Sequence, residues 1–233
     1  MSISRKLLQA AAGNAGEGSY WIALLGGSGE DYAIGVAVDS ADNIIVVGTT
    51  TSDGAGGTDL LIAKYNSSGV LQWDRTLGGS GEDYANGVAV DSADNIIVVG
   101  RTTSDGAGTY DMLIAKYNSS GVLQWDRTLG GSGSDLGYGV AVDSADNIIV
   151  TSYTASDGVG SFELLIAKLP PDGSGTGTYG SLVFEEAVLT DAEAVLTDAD
   201  AVLTDAEAVL TDAEAVLTDA EAVLTDELIE ITP

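Results

Sequence analysis

Cysteine and histidine are both absent from this chain, and proline (3 residues) and Lys plus Arg (8 residues) are scarce. Without cysteine there is no disulfide framework, no thiolate zinc site and no thiol nucleophile. Without histidine, the commonest general base and the commonest metal ligand are lost together. Catalysis would have to run on carboxylates, Tyr, Lys or Ser alone, so a non-catalytic protein is expected. The 36 acidic residues bring the formal charge to -28. A surface of that sign repels phosphate backbones and anionic lipid, which argues against a nucleic-acid partner. No stretch approaches the roughly 18 apolar residues needed to cross a bilayer, so no membrane insertion is expected.

What the chain does have is repetition. Trp21, Trp73 and Trp125 stand 52 residues apart, and Asp39, Asp91 and Asp143 keep the same step, as do Gly27, Gly79 and Gly131. Read in one register, the copies cover about 20–71, 72–123 and 124–168. A fixed period of this length is the mark of a repeat architecture.

Each copy shows four strand signals separated by turn chemistry. Val70 to Leu77 alternates Leu71, Trp73, Arg75 and Leu77 with Val70, Gln72, Asp74 and Thr76, which is period two. Gly78-Gly79-Ser80-Gly81 breaks it. Gly87 to Val90 follows, then the turn Asp91 to Asn95, then the β-branched run Ile96 to Val99, apolar on both faces as a strand between two layers should be. Asp111 to Tyr117 is the fourth. Four short antiparallel strands in about 50 residues is the arithmetic of a propeller blade. The Trp-bearing stretch from Tyr20 to Leu25 is expected to supply the strand that the last copy lacks.

The run GVAVDSADNIIVVG, followed by LLIAKYNSSGVLQWDRTLGGSG, resembles the bacterial and phage β-propeller repeat family (SBBP-like repeats). The resemblance covers roughly 20–168 in three copies. It implies a mainly β fold of three tandem, four-stranded, propeller-blade-like units. Propellers usually have four to eight blades, so three either need other chains to close the ring or pack as a compact three-sided body. The opening MSISRKLLQAAAG resembles the N-termini of marine (cyanophage-type) phage tail-fibre and virion structural proteins. Residues 1–18 are expected to be a short attachment segment, a poor fit to a secretory signal, through which the chain meets other virion proteins.

Beyond the repeats, 169–186 reads as a Gly- and Pro-containing linker, and 187–233 as an acidic heptad tail. From Ala187 the unit Ala-Val-Leu-Thr-Asp-Ala-Glu recurs, and the 15 acidic residues between Glu185 and Glu230 meet no Lys or Arg. Placed at helical steps, Val, Leu and Ala cover one narrow arc, which puts Leu196, Leu203, Leu210 and Leu217 at a coiled-coil seam. A helical bundle, a trimer for preference, is the favoured reading. A β stack with a corner at each Thr-Asp and a disordered spacer are the alternatives.

Asp39 and Asp42, Asp91 and Asp94, and Asp143 and Asp146 place carboxylates three apart on a turn, a weak calcium candidate without the spacing or distal Glu of an EF-hand loop. Asp and Asn are also ordinary turn formers. No other cofactor is indicated. The copies differ at Ile34/Asn86/Tyr138, Thr49/Arg101/Tyr153 and Thr58/Tyr110/Phe162. The later copies carry larger groups there, so Asn86, Arg101, Tyr110, Tyr138, Tyr153 and Phe162 are a candidate contact surface, with loop drift as the plain alternative. The expected role is a virion structural protein, a tail-fibre or appendage subunit that self-associates and contacts a host surface receptor. The alternative is a bacterial extracellular adhesin or surface filament.

Overall fold

The computed structural model describes residues 21–158 and 160–193. Residues 1–18 and the seam positions Leu196, Leu203, Leu210 and Leu217 lie outside them. The described residues are mainly β and contain no helix. Unit 1 comprises β1 (Asp31–Val38), β2 (Ile44–Thr50), β3 (Asp59–Tyr65) and β4 (Leu71–Gly78). Unit 2 comprises β5 (Asp83–Val90), β6 (Ile96–Thr102), β7 (Asp111–Tyr117) and β8 (Leu123–Gly130). Unit 3 has only β9 (Asp135–Val142), β10 (Ile148–Thr154) and β11 (Glu163–Leu169). Within each unit consecutive strands pair antiparallel.

Local chemistry explains the repeated shape. Asp39 Oδ1 accepts the backbone N–H groups of Ala41 and Asn43, closing the turn between β1 and β2, and Asp91 and Asp143 do the same. Asp42, Asp94 and Asp146 take φ values of 59, 59 and 60, the left-handed region that Asp tolerates better than most side chains. A Cβ at Gly48 or Gly100 would stand 1.7 Å from the carbonyl oxygen of Tyr32 or Tyr84, so β2 and β6 need glycine opposite the bulges in β1 and β5.

The units stack face to face. Ile45, Val47, Leu60, Ile62 and Leu77 of unit 1 pack on Ala85, Ile96, Val98, Leu113 and Tyr117 of unit 2. One step along, Ile97, Val99, Met112, Ile114 and Leu129 pack on Ile148, Val150, Leu165 and Leu169 of unit 3. Units 1 and 2 bury β3 and β7 on both faces. At about 25 cal/mol per Å² of apolar surface, this layering is the main source of stability.

Four expectations are corrected. The Trp-bearing strand closes the sheet before it rather than opening the next, because the turns Asn66–Gly69 and Asn118–Gly121 fold it back onto β3 and β7. The third unit has three strands, not four, and Trp21–Gly27 forms no strand with it. Trp21 instead stacks on Tyr65 of unit 1, with ring centroids 5.9 Å apart. The expected linker holds a hairpin, β12 (Gly177–Tyr179) and β13 (Leu182–Glu186), which extends unit 2 by pairing with β8 and burying Leu182 and Phe184. The first heptad is extended: β14 (Thr190–Glu193) pairs with β4, and the buried Tyr117 hydroxyl donates to Asp191. A sheet edge beside a buried tyrosine offered this segment backbone partners that an isolated heptad lacks.

Candidate interaction surface

The paired turn carboxylates do not converge. Asp39 is spent on its own turn and on Lys64, whose Nζ lies 2.8 Å from Oδ2. Asp91 and Lys116 repeat the pair at 2.8 Å, and Asp143 and Lys168 at 2.6 Å. Burial pushes the Asp39 carboxyl up, but hydrogen bonds from Lys64 and Asn43 outweigh it and hold the group down at about 2. Asp91 is lowered in the same way, and the more exposed Asp143 is held well below the usual range by Lys168 and Asn147. The other carboxylate of each turn faces elsewhere. Asp94 accepts from the N–H and hydroxyl of Ser40 in the preceding unit at 2.9 and 2.7 Å, and Asp146 does the same for Ser92 at 3.0 and 2.7 Å. Of the weak calcium candidates Asp39, Asp42, Asp91, Asp94, Asp143 and Asp146, three cap turns and two of the others join units.

Sequence reasoning missed a second acidic set. Asp59, Asp83, Asp111 and Asp135 begin strands at the opposite end of the sheets and are buried. Asp83 and Asp135 accept the backbone N–H groups of Gly79 and Gly131, and Asp111 accepts that of Gly108. Burial first, then the neighbouring Asp135 charge, pushes Asp111 up to about 6 against the hydrogen bonds it accepts. Their 52-residue spacing was visible, but their burial depends on a neighbouring unit stacking against them: Asp83 and Asp135 are buried, while Asp31 in unit 1 is only half-buried. No group of three or more acidic side chains is arranged to hold a metal among the described residues.

The variable positions do come together. The Arg101 guanidinium lies 4.1 Å from the Tyr84 ring centroid and 5.4 Å from that of Tyr110. Both tyrosine hydroxyls donate to Glu82, at 3.2 and 3.1 Å. In unit 3, Tyr138 and Tyr153 have centroids 5.6 Å apart, and Tyr153 meets Phe162 edge to face at 4.8 Å. Asn86 is the exception, because its amide donates to the carbonyl of Gly137 at 2.7 Å and serves to join units 2 and 3. Tyr84 and Glu82 belong to the cluster but were not singled out, since the same residue types, Tyr32 and Glu30, recur in unit 1. The unit 1 equivalents of the new members are Ile34, Thr49 and Thr58, so the aromatic edge belongs to units 2 and 3. Fixed aromatic faces beside a cation suit contact with a sugar ring or a protein surface.

Comparison with known proteins agrees with this architecture. A β-propeller repeat profile matches residues 21–54 and 72–106. A second profile, a β-propeller domain of unknown function, matches 41–71 and 93–123. An uncharacterised WD repeat-containing protein of Acanthamoeba polyphaga mimivirus is 25% identical over 62% of this chain, which spans 14% of that relative's length. The chain is thus a repeat protein whose residues 21–123 match β-propeller repeat profiles, with a distant viral WD-repeat relative.

Proposed function

We propose that this chain is a non-catalytic structural subunit of a virion surface, a tail fibre or similar appendage, whose aromatic edge touches the host. The observation that carries the reading is the contrast between fixed and varied positions. The repeated carboxylates Asp39, Asp91, Asp94 and Asp146 serve turns and unit joints. The residues that change from copy to copy, Asn86 apart, gather at Arg101 and Tyr110 in unit 2 and at Tyr138, Tyr153 and Phe162 in unit 3. A scaffold that keeps its architecture while varying one edge is built for contact rather than turnover. The resemblance of the N-terminal segment to phage fibre proteins and the distant mimiviral relative support a particle rather than a cell surface.

Two measurements test this. Protein sequencing and immunogold labelling of purified particles should find the chain on the virion; finding it only on a bacterial envelope would favour an adhesin. Binding of the protein to host cells should drop on Arg101→Ala or Tyr153→Ala, with folding unchanged by circular dichroism. Undiminished binding by both variants would remove the contact role from this patch.

A further inference from the structure

The stack has two open ends, and they match each other. At each internal joint the earlier unit presents one face and the later unit another, and four contacts recur. Ser40 donates to Asp94, and Ser92 to Asp146. Lys64 donates to the carbonyl of Ser119, and Lys116 to that of Pro171. Trp73 donates to Ser119 and Trp125 to Pro171. The apolar residues of the earlier unit's β3 or β7 are fully buried against the later unit.

Each half of this joint recurs at an end of the molecule. Unit 3 repeats the earlier unit's half: Ser144 and Lys168 stand where Ser92 and Lys116 do, while Leu164 and Ile166 stand where Met112 and Ile114 do. Met112 and Ile114 are 0% exposed, but Leu164 and Ile166 are 77% and 62% exposed. Unit 1 repeats the later unit's half: Asp42 stands for Asp94, Ser67 for Ser119, and Val36 and Val38 for Val88 and Val90. Val36 and Val38 are 66% and 56% exposed. Thr151, in place of Val47 and Val99, is the one polar replacement among these apolar positions of unit 3.

The missing strand points the same way. Trp21–Leu25 is the sequence equivalent of Trp73–Leu77 in β4, and Trp21 already holds its place on unit 1. Its Nε1 donates to the Ser67 carbonyl at 3.1 Å, as Trp73 does to Ser119 at 3.2 Å. Relative to unit 1, this segment sits as the last strand of a preceding unit. Among the described residues, unit 3 is the unit that lacks a last strand, and β11 pairs with β10 alone. An open cavity of about 300 Å³ lies beside β11, lined in part by Leu129, Ile166, Lys168, Leu182 and Phe184.

We propose that the outer faces of unit 1 and unit 3 are the two halves of one joint, and that a second copy of this chain completes it. The copies dock head to tail, Trp21–Leu25 of one becoming the fourth strand of unit 3 of the other. The register follows from β3 and β4, where Lys64 pairs with Trp73 and Leu60 with Leu77. Lys168 then pairs with Trp21, and Leu164 with Leu25, across the copies. Asp42 receives Ser144, and the Ser67 carbonyl receives Lys168. Two copies supply six units, within the usual four to eight of a closed propeller. Two reciprocal joints also cover both exposed apolar faces and the free edge of β11, which the described residues of a lone chain leave uncovered. This inference stands apart from the virion reading and from any association through the tail.

The absence of native cysteine allows a direct test. Full-length Asp42→Cys and Ser144→Cys chains are mixed and treated with a short thiol-to-thiol cross-linker, with Ser40→Cys/Asp94→Cys in one chain as the internal reference. A covalent dimer is expected in the mixture and not with either variant alone, and Ile166→Glu in the Ser144→Cys chain should abolish it. The uncross-linked wild type should sediment at twice the chain mass. No dimer in the mixture overturns the proposal. So does a cross-link within a single Asp42→Cys/Ser144→Cys chain at high dilution, which would mean that three units close alone. A raised mass without the 42–144 cross-link assigns association to the tail and likewise overturns the head-to-tail joint, while leaving the virion role untouched.

Discussion

Lys64 Nζ lies 2.8 Å from Asp39 Oδ2, with only 8% and 2% of the two side chains exposed, and the same pair in unit 3, Lys168 and Asp143, is 59% and 25% exposed. The chemistry is identical, and only the presence of a following unit differs. Removing one partner of a buried pair strands the other charge and typically costs about 3–5 kcal/mol, whereas an exposed pair is worth about 1 kcal/mol or less. Lys64→Ala and Lys116→Ala should therefore destabilise the fold far more than Lys168→Ala. Urea unfolding of the three variants checks this, and equal losses would contradict it.

Stability should fall on both sides of a weakly acidic optimum. Asp39 and Asp91 titrate below their ordinary value when folded, so their contribution is present above about pH 4 and is lost as pH falls through their lowered folded values, about 2 for Asp39. Asp111 and Asp126 run the other way, since burial pushes both up to about 6. The folded state holds protons that the unfolded chain has released between about pH 4 and 6, so stability drops as pH rises through that window. Asp111→Asn should raise the urea midpoint near pH 8 and have a smaller effect near pH 5. A gain independent of pH would rule out titration as its cause.

Gly121 and Gly175 both have positive φ, 79 and 89, but different surroundings. A Cβ at Gly121 would meet the Trp73 ring at 2.7 Å, whereas one at Gly175 would meet nothing nearer than the Tyr179 hydroxyl at 3.8 Å. Gly175→Ala should cost about 1 kcal/mol from backbone strain alone. Gly121→Ala adds a clash and should cost about 2–4 kcal/mol. Displacement of the indole should also shift tryptophan fluorescence in the second variant and not in the first.

Phe184 is 1% exposed in the core between units 2 and 3, although it lies beyond the last repeat. Phe184→Ala should cost about 3–5 kcal/mol. A chain ended at Lys168 should be less stable than one ended at Glu193, since it loses Leu182, Phe184 and the strands on β4 and β8. Thermal melts of the two chains make the comparison.

The sequence alone determined the unit. The 52-residue step, the period-two strands and the Asp-Asn and Asn-Gly turns are local or strictly repeated, so the strands and their antiparallel pairing could be read from Asp91, Ile96 to Val99 and Asn118 to Gly121. Among the variable positions, Arg101 lies against Tyr110 and Tyr153 lies against Tyr138 and Phe162, neighbours that the list of differing positions already contained. Tertiary structure alone decided which sheet each Trp-bearing strand joins, because its alternation suits either neighbour and the turn geometry makes the choice. It gave Asp94 to Ser40 of the preceding unit, made Asp111 a buried acid, and drew the first heptad into β14. Asp42 and Asp94, or Lys64 and Lys168, are identical residues that meet different environments according to whether another unit lies against them. A repeat fixes the chemistry of one joint, and stacking decides which joints are filled and which are left open at Asp42 and Ser144.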